Sequence, residues 1–210
     1  MTTAELIREI KIRLDSIDSK SYPDFSESEM LSLINGGAHS FVTLLLNQFE
    51  ADRIVTADLA RLVATTTAAS FTQNENLWTF TYPPNFAYFI AATAKLTRTA
   101  DPYNGQEFTV KLYEATSQHQ IGDGFNHAVL RKLPYKQEAN GITVTTDYDS
   151  ELTSVALRYF RQINKVTMSQ TLELTEATHL KIVALAVNAA IEGIESQRVQ
   201  TNEKELTKNL

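Results

Sequence analysis

The sequence predicts an α+β fold: N-terminal helices, a central and mainly antiparallel β region, and a long C-terminal helix. Three observations carry this reading. Apolar residues recur at helical spacing through residues 1–63. From residue 65 to residue 161, β-branched and aromatic residues alternate with polar ones. A helix that is apolar over most of its circumference then runs from Glu176 to Gln197. Residues 1–198 are read as a single domain, with a helical layer at 1–63, a β region at 65–161, a helix at 175–198 and a polar tail at 199–210.

The first helix is predicted over residues 2–19. Thr2 and Glu5 offer a capping box, and Leu6, Ile10, Leu14 and Ile17 form one stripe. The segment Ser21–Asp24 breaks it. Ser26 and Glu29 offer a second capping box, opening a helix to about Phe49. Gly36 and Gly37 lie inside that helix and cost about 1 kcal/mol each relative to alanine. They predict either a kink or the close approach of another helix. A third helix begins near Thr56, with Asp58 in its first turn and Leu59, Leu62 and Val63 on its apolar side.

The β region opens at Thr65–Thr67. Strands are predicted at Leu77–Tyr82, Phe108–Tyr113, Val129–Tyr135, Gly141–Asp147 and Leu152–Arg161, and Phe86–Arg98 contains a second apolar run, entered through a β-to-helix or β-to-β junction. Asp101–Gly105 is a turn, and 114–128 an insertion containing Gly122 and Gly124. Pro134 places its strand at a sheet edge or near its own end. Asp147–Ser150 is expected to turn the last two strands into an antiparallel hairpin. In the final strand Val155, Leu157 and Tyr159 share one face.

A largely polar linker, 162–171, leads to Thr175 as N-cap and Glu176 in the first helical turn. Leu180, Val183, Ala184, Val187, Ile191 and Ile194 make one face of the helix, and Ile182, Leu185, Ala186 and Ala189 fill much of the rest. Such a helix must be covered from more than one side. Either its own domain wraps it, or a neighbouring subunit takes one flank.

The net charge of −6 argues against general binding to nucleic acid or anionic membranes. The acidity lies toward the N-terminal part, and there is no basic tail. The chain has no cysteine, which excludes disulfides, thiolate catalysis and zinc–cysteine sites. The N-terminus is charged, unlike a signal peptide. The apolar run Ile182–Ile191 is interrupted by Asn188 and is short for a bilayer.

One constellation has metal-ligand spacing: His119, Asp123 and His127, four residues apart. Gly122 and Gly124 flank the aspartate and argue for a polar surface loop instead. His39 and His179 are distant in sequence. Asn35–Gly37 follows a helical run and lacks a lysine, so it is no phosphate loop. The carboxylate pairs Asp147/Asp149 and Glu203/Glu205 read as solvated charge. Tyr82, Tyr88, Tyr103, Tyr113, Tyr135, Tyr148 and Tyr159 lack interleaved basic residues and read as core or interface rather than stacking platforms. No catalytic, cofactor-binding or metal-binding residue is assigned, and the chain is not expected to be an enzyme.

One pattern is specific. A strand ending in Leu157–Ile163, a polar linker, the helical stretch Leu174–Val187 and the segment Glu195–Gln200 together resemble the C-terminal region of structural proteins from crAss-like tailed phages. The proline-aromatic junction Tyr82–Tyr88 is similar to that family's too. The resemblance covers about half the chain and rests on packing residues. It implies a virion protein at the portal vertex, assembled in the host cytoplasm. It also implies a cyclic, twelve-fold homo-oligomer in the head-to-tail connector, stacked on portal protein and on other connector or tail proteins. The genome would pass through the ring's lumen without sequence-specific contact, and an acidic lumen lets DNA slide. It brings no catalytic residues, no cofactor and no membrane. The alternatives are another phage tail or accessory capsid protein, or a non-viral binding module.

Overall fold

Both capping boxes form. The Thr2 backbone N–H donates to Glu5 Oε2 at 2.8 Å, and the Glu5 N–H to Thr2 Oγ1 at 3.3 Å. The Ser26 N–H likewise donates to Glu29 Oε2 at 2.8 Å, and the Glu29 N–H to Ser26 Oγ at 3.4 Å. They open helices α1 (Thr3–Ile17) and α2 (Glu27–Asp52). A computed structural model describes residues 1–17, 25–68, 71–99, 105–114, 132–147 and 149–208 of the chain. The fold is α+β, with helices at both ends and a central, mostly antiparallel, curled sheet. The chain divides into two compact units, and one is inserted into the other. Met1–Leu62 and Ile163–Leu210 form a helical unit; Val63–Gln162 forms a sheet unit.

In the helical unit, α1 buries Leu6, Ile10 and Leu14. Helix α2 runs unbroken through Gly36 and Gly37. It ends at Arg53, whose left-handed backbone (φ 57°) lets its N–H reach Phe49 O at 2.7 Å. Helix α3 (Ala57–Leu62) buries Leu59 and Leu62; Val63, expected on that helix, starts the sheet instead. The last helix, α4 (Glu176–Lys208), continues past the predicted end at residue 198. The segment that follows holds no glycine or proline to stop it. Helix α4 packs on α1 and α2.

The buried stripe of α4 differs from the predicted one. Ile182, Val183, Ala186, Val187, Ala190 and Ile194 are buried, whereas Leu180 is 49% exposed and Ala184 and Ile191 are only partly covered. Gly37 sets this phase. A Cβ there would lie 2.9 Å from the Ile182 carbonyl oxygen and 3.3 Å from the Ala186 nitrogen. The glycine therefore admits the α4 backbone, and of the two sequence expectations close approach holds rather than a kink.

The sheet unit has eight strands: β1 (Val63–Ala68), β2 (Thr72–Asn74), β3 (Leu77–Thr81), β4 (Phe86–Arg98), β5 (Glu107–Glu114), β6 (Lys132–Glu138), β7 (Gly141–Thr145) and β8 (Ser150–Arg161). Their order is β1-β8-β4-β5-β6-β7-β3-β2, antiparallel except for β5 with β6. Edge strands β1 and β2 are consecutive in sequence. From Ala68 to Thr72 the chain spans at most about 14 Å, whereas the edges of a flat eight-stranded sheet lie about 34 Å apart. Chain length thus forces the sheet to curl. Strands β1 and β2 run in the same sense, β1 bonded to β8 and β2 to β3. Strand β6 also changes partner along its length, from β5 to β7. Two such strands turn the corners of the curled sheet.

The inner face carries the core, including Trp78, Phe80, Leu96, Val110, Ile142, Val144, Val155, Leu157 and Tyr159. Bulges reset the alternation. Thr153 is unpaired between Ser154↔Lys95 and Leu152↔Leu96, so Leu152 and Val155 are both buried although three residues apart. Gly141 has no room for a side chain, since a Cβ would lie 1.9 Å from Phe80 O.

Two strand expectations need correction. Strands β7 and β8 do not form a hairpin. Strand β7 pairs with β3 and β6, and β8 with β1 and β4. The segment after β7 is drawn to the end of β4 instead, where the Thr99 N–H donates to Asp149 O at 2.9 Å. Strand β6 lies inside the sheet order, so of the two places expected for Pro134 the sheet edge fails; it is the third residue of β6, near that strand's start. Pro134 is tolerated because it pairs with Tyr113 of β5, while the ladder to β7 begins one residue later at Tyr135.

Candidate functional site

A polar cluster in the helical unit surrounds the start of α4. Asp58 of α3 accepts the Thr175 N–H through Oδ1 at 2.8 Å and the Thr178 hydroxyl through Oδ2 at 2.7 Å. Thr175 and Thr178 share a hydroxyl contact at 2.9 Å. Arg61 Nη1 donates to the Glu173 and Leu174 carbonyls at 3.2 and 3.3 Å. A single short helix therefore ties the Thr175 N–H, the Thr178 hydroxyl and the two carbonyls that precede α4. Burial works to raise the Asp58 pKa, but the bonds from Thr178 and Thr175, with Arg61 nearby, together hold it below the ordinary 3.8.

His179 is buried in the same cluster. Its Nε2 lies 3.2 Å from Leu174 O, and its Nδ1 3.2 Å from the Met1 ammonium, which also meets Glu176 Oε1 at 3.3 Å. Burial, and then the ammonium, push the imidazole below its ordinary 6.5. The neutral ring donates from Nε2 and accepts at Nδ1. Both nitrogens are thus engaged in holding the chain, and a hollow of about 370 Å³ beside them is bordered by Glu5, Arg61 and Thr171.

Asn35 does comparable work on the linker. Its Oδ1 accepts the Val166 N–H at 2.7 Å and its Nδ2 donates to Val166 O at 3.1 Å. The side chain thereby acts as a one-residue strand partner and seats buried Val166. A polar basin of about 640 Å³ lies nearby, lined by Asn164, Lys165, Ser169, Gln170, Thr171 and Glu173. Most of these side chains are exposed. One lysine and one glutamate give it no convergent charge.

In the sheet unit, Asp147 and Asp149 come together around Arg98. Arg98 Nη1 lies 2.6 Å from Asp147 Oδ2 and 3.2 Å from Ser150 Oγ, and Nη2 lies 3.9 Å from Asp149 Oδ2. Of the pair that sequence reads as solvated charge, Asp147 is therefore a partly buried tie to the end of β4, whereas Asp149 stays exposed. Tyr135 and Tyr159 are buried in the core, and Tyr82 stacks on Phe86 with centroids 3.7 Å apart and planes 3° apart. Burial, with Glu114 adding to it, pushes the Tyr82 phenol up to about 12. The core assignment holds for Tyr135 and Tyr159; Tyr82 is partly buried and packs against the core, Tyr88 and Tyr113 are partly buried, and Tyr103 and Tyr148 lie outside the described residues.

His119, Asp123 and His127 also lie outside the described residues, as does the turn at 101–104. His39 is exposed on α2. Among the described residues no group of three or more His, Asp or Glu is placed to hold a metal ion. Glu176–Ile194 is long and apolar enough, by length and composition, to cross a membrane (mean hydropathy 1.3), and 44% of that window is buried inside the fold. The sequence expectation counted only the run Ile182–Ile191.

Sequence reasoning missed Asp58, Arg61 and Asn35 as ties, because each acts on a segment more than a hundred residues away. Chemically, the arrangement fixes the start of α4 and the linker before it. Compared with known proteins, the chain matches no family model and no curated sequence.

Proposed function

We propose that this chain is a virion structural protein. It forms a cyclic ring in the head-to-tail connector of a tailed phage, linking portal and tail around the DNA channel. The observation that supports this most is the build of α4. Its inner stripe is taken by α1 and α2, yet Leu180 and Ala189 stay exposed and Ala184, Leu185 and Ile191 are only half-covered. A helix with apolar surface left over after its own fold is satisfied suits contact between subunits. The strand, linker and helix on which the resemblance rests are β8, residues 162–175 and α4, in the succession the family uses. The net charge of −6 suits a lumen through which DNA slides.

The partners are further copies of this chain, the portal protein above and other connector or tail proteins below. Quantitative mass spectrometry of purified particles tests the proposal. The expected result is this chain present in copy number equal to the portal protein. Absence from washed particles, or a copy number matching the capsid shell, would overturn it.

A further inference from the structure

The two edge strands of the sheet are unlike each other. Strand β2 has only three residues, all exposed, and short edges resist pairing. Inside the ladder, the start of β4 is broken by register shifts and β6 carries Pro134, both of which discourage strand addition. Strand β1 has none of these protections. Val63–Ala68 is six residues long, carries no charge, proline or glycine, and pairs only with β8 among the described residues. Its Thr65 and Thr67 are exposed. Such an edge offers a row of backbone donors and acceptors to another strand.

We propose that β1 is a strand-addition site, and that its occupant is β1 of a second copy, paired antiparallel about a two-fold axis. An uncharged strand meets no like-charge penalty from itself. The two-fold keeps each face of the sheet on its own side, so the register must centre on a single residue. Centring on Thr65 sets it opposite its own copy and sets Val63 opposite Thr67. Cross-strand threonine pairs already recur in this sheet: Thr79 with Thr143 at 3.3 Å and Thr97 with Thr153 at 3.1 Å between hydroxyls. Thr65 presents the same group, and on the side away from β8 no strand pairs with it among the described residues. This pairing closes at two copies and is independent of the ring reading.

The chain has no cysteine, so single cysteines report the register cleanly. In the full-length protein, Thr65→Cys brings two thiols opposite each other, at a Cα separation that suits a disulfide. Mild oxidation should give a covalent dimer. Thr67→Cys, opposite Val63 of the copy, should not. In sedimentation equilibrium the unaltered chain should reach a dimer, Thr65→Lys should lose it, and an equal mixture of Thr65→Lys and Thr65→Glu should recover it. A monomer at the highest soluble concentration would overturn the proposal, as would a dimer that Thr65→Lys leaves intact. Ring-sized particles that form equally with Thr65→Lys would leave the connector reading standing and remove this one.

Discussion

At Gly37 the room for one carbon atom decides how two helices meet. Its missing Cβ would sit 2.9 Å from Ile182 O, while a Cβ at neighbouring Gly36 would meet nothing within 4 Å. The two glycines should therefore respond oppositely to alanine. Gly37→Ala must push α4 outward and should cost about 1–3 kcal/mol. Gly36→Ala relieves the unfolded chain's freedom inside a helix and should stabilise by about 0.5–1 kcal/mol. Urea unfolding of both variants checks the pair, and equal effects would contradict the assigned packing. In sequence the two glycines look alike. Which one faces a partner depends on α4, which is remote in the chain. The capping pairs Thr2/Glu5 and Ser26/Glu29 were legible because donor and acceptor lie three residues apart. Asp58 was not, because its partners Thr175 and Thr178 lie far along the chain.

At the scale of elements, α4 is set by its start and by its buried stripe. Asp58→Asn should cost about 1.5–3 kcal/mol, since it weakens charge-assisted bonds to two α4 groups at once. The pH dependence follows from two depressed pKa values. Asp58 in the fold titrates below 3.8, so its contribution is complete above that value and is lost as pH falls through the lower folded-state value. His179 in the fold titrates below 6.5, so the unfolded chain takes up its proton first; stability should decline as pH falls below about 6.5 and level off under the folded-state value. Unfolding measured across pH should show both declines, and Asp58→Asn should flatten only the more acidic one. The stripe gives a second contrast. Ala186 is fully buried and Ala189 exposed. Ala186→Glu should abolish folding, not merely assembly. Ala189→Glu should keep the circular dichroism of the folded chain and reduce higher-order assembly seen by light scattering. The apolar pattern showed that α4 needed cover, but not which flank α1 and α2 would supply. The β7–β8 hairpin was misread for a related reason. A turn signal shows where the chain bends, whereas pairing is chosen by side chains such as Trp78, which lies opposite Val144.

For the whole chain, the insertion of the sheet unit was not legible, because no Gly- or Pro-rich linker marks either crossing at 62–63 or 162–163. The sheet unit begins and ends on paired strands, with Val63 opposite Phe160. Its two ends are therefore neighbours, as in domains that tolerate excision. Residues 63–162 expressed alone should fold cooperatively with a β-type circular dichroism spectrum, and a broad, non-cooperative melt would contradict this division. The α+β class itself was readable from periodicity, since helical spacing and strand alternation each persist over several turns or residues. The curl was not, because it follows from the ladder order together with the short span between β1 and β2. We propose that this chain rings the DNA channel between head and tail. A cryo-EM map of the particle that carries it is the most direct test. Density for its helical unit and its sheet unit should repeat cyclically about the particle axis, between portal and tail, with α4 facing a neighbouring copy. Density in the capsid shell or at the tail tip, or particles that lack it, would contradict the account.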